Sequence, residues 1–150
     1  MPLDPSFVGH AYPTSEVYEV GRAKIREFAE AIGDDHPAYR DVAAARAAGH
    51  PDVIAPPTFT TILFGRYCMA DIVDDPKLGV DYSRVVHGDM KFDFARPVVA
   101  GDRLTVTTHI HEIDTRMGND FLTLRAEIAT DDGERVVTAL SQLVIRAADA

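Results

Sequence analysis

Residues 53–76, VIAPPTFTTILFGRYCMADIVDDP, decide how the rest of the chain is read. Pro56 and Pro57 can only precede or open a helix, because proline has no N–H to donate and its ring fixes φ near the helical value. From residue 58 to about 73, apolar side chains fall on nearly every face of a helical wheel. A helix that is apolar all round is a buried helix. Something else in the chain has to wrap it.

The sequence beyond it supplies the wrapping. After the turn-rich link DDPKLGVD come VVHGDMKFDFA (85–95), RLTVTTHIHEI (103–113), DFLTLRAEIAT (120–130) and RVVTALSQLVIRA (135–147). All are rich in β-branched residues, and RPVVAGD, DTRMGN and DDGE separate them with turn chemistry. Before the helix, SEVYEV (15–20) alternates as a strand does. GRAKIREFAEAIG (21–33) carries apolar residues at helical spacing and closes on Gly33, and PAYRDVAAARAAG (37–49) reads as a short helix. Residues 1–13 hold three prolines and are expected to form an irregular arm. The sum is an α+β chain with one domain over residues 1–150, in which an antiparallel sheet of about five strands wraps a long buried central helix. One such sheet leaves an exposed edge, so pairing with a second subunit is expected.

Composition narrows the function. Fifteen basic and 24 acidic residues leave a net charge of -9. Binding to a nucleic-acid backbone or an anionic membrane surface is not expected. An anionic thioester stays open as a ligand, because local charge can oppose net charge. The single cysteine, Cys68, lies in an apolar run and reads as a buried thiol. No Cys/His grouping has metal-site spacing, so no metal is expected. The first residues lack the basic and apolar regions of a signal peptide, and no apolar run is long enough to span a bilayer, so a cytoplasmic location is expected.

Four stretches together carry a resemblance to a known family: YEVGRAKIREFAEAIGDDHPAY, IAPPTF, HGDMKFDFARPVVAGDRL and the closing strands. They resemble the MaoC-like and FAS1-like dehydratase-domain group of the hot-dog fold. Within it, the chain looks like the small subunits of bacterial (3R)-hydroxyacyl-ACP dehydratases. In that group one subunit lacks the catalytic pair and a homologous partner supplies it.

The resemblance can be tested against chemistry. Dehydrating a 3-hydroxyacyl thioester needs a base for the α-proton, an acid for the leaving hydroxyl and a donor for the enolate oxygen. The related R-specific hydratases meet this with a Gly-Asp-x-Asn-Pro-x-His pattern. Laid on this chain, Gly33, Asp34 and Pro37 match, His36 stands in the asparagine's place and Tyr39 in the histidine's. A phenol that titrates at about 10 is a poor base at neutral pH. The family mechanism is therefore not expected of this chain alone.

Other readings remain beside it. His36 is a candidate to take over the acid–base role with Asp34. Asp34 can equally cap the helix that follows. His87, beside Gly88, is either a pocket-lining residue or a hydrogen-bonded strand histidine. Pro57, Thr58 and Phe59 open the central helix, close to where the resembling enzymes hold the thioester carbonyl, and are candidate substrate-binding residues. The functions in view are an acyl-binding dehydratase subunit paired with a homologous catalytic one, an autonomous hydro-lyase using Asp34 with His36 or His87, and a non-catalytic acyl-thioester-binding or assembly protein. Thioester hydrolysis ranks lower, because the helix carries no acid before Asp71. The ligand class is acyl-CoA or an acyl carrier protein thioester, no cofactor is implied, and the partner is a homologous hot-dog subunit or a second copy.

Overall fold

The computed structural model describes residues 2–148. Its order is β1 (Tyr18–Glu19), α1 (Arg22–Ala31), α2 (Val42–Ala47), the central helix, then β2 (Val85–Phe94), β3 (Arg103–Arg116), β4 (Asn119–Thr130) and β5 (Arg135–Ile145). The strands form one antiparallel sheet ordered β1-β3-β4-β5-β2. This is the curled sheet against a helix that the resemblance implies.

Alternation builds the sheet's inner face. Val106, Thr108, Ile110, Leu122, Leu124, Ala126, Ala139 and Leu143 are all buried. Their registers agree, with Val106 opposite Ile128, Ala126 opposite Ala139 and Leu122 opposite Leu143. Opposed residues of an antiparallel pair point to the same side, so the pairs form a continuous apolar surface. The β3–β4 hairpin is tighter than DTRMGN suggests. Met117 (φ 50) and Gly118 (φ 79) alone make the turn, so pairing runs on through Arg116 and Asn119. Two consecutive positive φ values give a turn whose twist matches that of the strands.

The arm and first strand differ from expectation. Only Tyr18–Glu19 forms a regular strand, against Leu104 and Arg103. The arm is irregular but not free: Gly9 N–H donates to Ile110 O (2.9 Å), Tyr12 N–H to Thr108 O (2.9 Å) and Ser15 N–H to Val106 O (2.8 Å). It thereby covers the outer edge of β3 and leaves β2 as the long edge strand.

The central helix is continuous but not uniform. It begins as a 3-10 turn, Pro57–Thr60, becomes α-helical over Thr61–Leu63, widens to a π segment over Phe64–Cys68, and ends α-helical over Met69–Val73. In the π segment Met69 N–H donates to Phe64 O, five residues back. Phe59, Leu63, Phe64, Cys68 and Ile72 are buried, whereas Thr58, Thr61, Gly65, Arg66 and Ala70 are exposed. The all-round burial expected from composition is therefore corrected. One sheet covers one side of the helix, and the other side faces out. Burial pushes the Cys68 thiol up to about 12, so it stays protonated and is no nucleophile at neutral pH.

The turn between β2 and β3 ties the layers together. The Arg96 guanidinium donates to both oxygens of Asp102 (2.9 and 3.0 Å) and to Glu134 Oε1 (2.8 Å). Asp102 Oδ2 also accepts from Val99 N–H (2.8 Å). Ala55 N–H donates to Val98 O, and Ala100 N–H to Val53 O. The same turn thus holds the residues that lead into the central helix. Replacing Asp102 with Ala leaves the partly buried Arg96 and Val99 N–H without that acceptor. It should cost about 1.5–3 kcal/mol, read as a lower urea midpoint with an unchanged m-value.

Candidate functional site

The loop after α1 is built from side chains that bond their own backbone. Gly33 (φ 71) turns the chain out of the helix. Asp34 Oδ1 accepts from His36 N–H (3.2 Å), and His36 Nδ1 accepts from Ala38 N–H (3.2 Å), capping a 3-10 turn at Pro37–Tyr39. The helix expected over 37–49 is therefore two pieces. Asp41 Oδ1 accepts from Ala43 N–H (2.8 Å) and caps α2, so Asp34 does not take that role. The Asp41 carboxylate, two residues before the alanine run, takes up the free N–H groups of a new helix start and so ends the preceding turn.

These bonds limit what the loop can do chemically. A neutral imidazole that accepts at Nδ1 carries its proton on Nε2. His36 is exposed and its ring lies 5.4 Å from that of Tyr39. Taking up a second proton at Nδ1 would break the cap. The Tyr39 phenol is held above its usual range, first by burial and then by the nearby Asp34 charge. At neutral pH it donates and does not accept a proton.

Ile54 N–H donates to Ala38 O (3.0 Å), which fixes this loop beside the start of the central helix. Tyr39, Ile54, Pro57, Phe94 and Pro97 line a mainly apolar cavity of about 340 Å³ there. Thr58 is exposed at the helix start. Phe59 is fully buried, edge-on to Phe28 with centroids 5.6 Å apart. Phe59 is therefore a core residue that anchors the helix start. In the 3-10 first turn Phe59 N–H donates to Pro56 O, so that group does not point at a ligand.

His87 belongs to a second cavity, a groove of about 560 Å³ between the central helix and β2. Thr61, Phe64, Gly65 and Met69 line it from the helix, and Tyr82, His87, Gly88, Asp89 and Met90 from the strand side. The register against β5 shifts between His87 and Asp89, with His87 opposite Leu143 and Met90 opposite Ser141. Leu143 and Ser141 are inner-face residues, so both His87 and Met90 face the helix. Without the extra residue, alternation from Met90 would turn His87 outward. A Cβ at Gly88 would come within 3.3 Å of Gln142 O, so glycine suits this bulge.

The structure thus gathers Tyr39 with Pro57 in one cavity and His87 with Gly88 in another. It does not bring Tyr39 and His87 into one cavity. Sequence reasoning missed Thr61, Gly65 and Tyr82 as lining residues. A signal was present for two of them: Thr61, Gly65 and Met69 recur every four residues, and two are small or polar in a mostly apolar helix. Asp71 is occupied, since Thr108 Oγ1 donates to its Oδ2 (2.6 Å). Among the described residues, no three His, Cys, Asp or Glu side chains gather as a metal centre would require. No helix among them is long and apolar enough to cross a membrane.

The profile of the FAS1-like dehydratase domain region matches residues 6–139. A UPF0336 protein of Streptomyces griseus is 59% identical over 149 residues, covering 99% of each chain. Another, of Saccharopolyspora erythraea, is 60% identical and covers 97% of this chain and 93% of its own. The C-terminally truncated HadBC (3R-hydroxyacyl-ACP dehydratase) complex from Mycobacterium tuberculosis contains a chain that superimposes with a TM-score of 0.82 at 36% identity, covering 92% of this chain and 96% of that one. A MaoC-like dehydratase superimposes with a TM-score of 0.86 at 35% identity, over 96% of this chain and 43% of its own longer one.

The Tyr39 environment makes a direct prediction. In the Asp34→Asn variant the nearby negative charge is gone, so the Tyr39 phenol should ionise at lower pH than in the parent. Ultraviolet difference titration against a Tyr39→Phe control reads this. An unchanged curve would mean that Asp34 does not face the phenol.

Proposed function

Because the chain belongs to the FAS1-like dehydratase-domain family, we propose that it is the acyl-binding subunit of a (3R)-hydroxyacyl-thioester dehydratase. A homologous hot-dog subunit then supplies the acid–base pair. The observation that carries this reading is Tyr39. It stands where the chemistry needs a group that accepts the α-proton, and its surroundings favour the protonated phenol. The other nearby candidate, His36, spends Nδ1 on a cap.

Two further observations support a paired state. β2 has a β5 neighbour on one side and, among the described residues, no strand on the other. The solved HadBC relative is itself a complex of (3R)-hydroxyacyl-ACP dehydratase. In the proposed pair, the partner's base removes the α-proton and its acid protonates the departing 3-hydroxyl as water leaves. This chain holds and orients the acyl thioester, on CoA or an acyl carrier protein. An autonomous hydro-lyase working through Asp34 with His87 is disfavoured, because Asp34 does not line the groove that His87 lines.

The test is co-expression with a MaoC-like chain from the same genome that carries an intact Asp/His pair. A complex that elutes as one species and hydrates crotonyl-CoA at least ~100-fold faster than this chain alone is expected, since a positioned base contributes roughly 10²–10⁴. Full turnover by this chain alone, or exclusive formation of an inactive homodimer, would overturn the reading. A second experiment asks what the loop lacks. Tyr39→His, with Asp34 intact, should give the isolated chain measurable hydratase activity if the base is all that is missing.

A further inference from the structure

Two departures from regular backbone face each other across the groove between the central helix and β2. On the helix side is the π segment Phe64–Cys68, and on the strand side the bulge at Gly88. Each interrupts a hydrogen-bonding ladder. Such irregularities persist where they shape a site, and both kinds recur beside active sites. Within them Gly65 and Gly88 are exposed, while Phe64 and Cys68 at the ends of the π segment stay buried.

The lining has a defined chemistry. Phe64, Met69 and Met90 form an apolar wall. Thr61 Oγ1 already donates to Thr58 O (2.7 Å), so its proton is spent within the helix. His87, turned inward by the bulge, brings its imidazole to the groove. Gly65 leaves open space, since a Cβ there would meet nothing within 4 Å. The volume, about 560 Å³, is that of a small-molecule site. With Asp89 on its strand side and a net charge of -9 on the chain, the groove suits a neutral group better than a phosphate.

Resting on the acyl-binding reading above, we propose that this groove holds the thioester end of the acyl chain, that His87 donates a hydrogen bond to its oxygen, and that Gly65 sets the width of the passage. His87 is then a substrate-contacting residue contributed by the subunit that lacks the base. The Tyr39–Pro57 cavity is a separate space.

Calorimetric titration with decanoyl-CoA, a saturated thioester that cannot turn over, tests this on the full chain, alone and in the co-expressed complex. His87→Leu should weaken binding about fivefold or more, as loss of one hydrogen bond does. His87→Gln, which keeps a donor, should stay within about threefold of the parent. Gly65→Leu should abolish binding and Gly65→Ala reduce it less, with no variant melting at lower temperature. If Gly65→Leu does not fold, Gly65→Ala decides, because its Cβ enters open space. Parent-like affinity in His87→Leu and in the Gly65 variants would overturn the groove assignment while leaving the acyl-binding reading intact. Failure of the parent chain to bind in either state would overturn both.

Discussion

The structure depends on the packing of one side of the central helix against the inner face of the sheet. Phe59, Leu63, Phe64, Cys68 and Ile72 press on the surface formed by residues such as Ile110, Leu122, Leu124 and Leu143. Each large apolar side chain so buried is worth about 1.5–3 kcal/mol, so this contact dominates whatever the loops contribute. It fixes the helix axially as well as laterally. Phe59 anchors the start, where Pro57 and Tyr39 line one cavity. Thr108 and Asp71 join the other end to β3.

The same contact explains where irregularity is tolerated. The side of the helix that meets the sheet is made of close-packed side chains, where a shifted register would open voids. The side that faces outward carries Gly65 and Thr61 and can accommodate a π segment. β2 is the edge strand, so a bulge at Gly88 disturbs pairing with β5 alone. The bulge therefore falls on the edge strand, the π segment keeps Phe64 and Cys68 in the core while Gly65 faces outward, and the two bound one groove. The arm plays the opposite part. By pairing with β3 it closes one edge of the sheet and leaves β2 as the place where another chain can add.

Much of the architecture was legible because its signals are local. Four β-rich segments, their turns and a proline-opened apolar helix follow from residue type and period. So does the substitution of Tyr39 for the family's histidine, since it is a matter of residue identity at a fixed spacing. The burial of Cys68 was also readable from its apolar neighbours. Other features were not readable. PAYRDVAAARAAG looks like one helix, and only the competition between the Asp41 side chain and the backbone splits it. Phe59 stands in an apolar stripe that fits core or an acyl passage, and its packing against Phe28 depends on how α1 docks.

The sequence by itself determined the α+β class, the family and the absence of the family's base from the Gly33–Tyr39 loop, because these rest on composition, periodicity and residue identity. Only the tertiary structure decided which side of the central helix is covered and which way His87 points. A strand's alternation assigns faces until an extra residue inverts it, and whether the register shifts is settled by pairing with a distant strand. Likewise, an apolar helix states how much surface needs cover, while the sheet's curvature decides which part of that surface receives it.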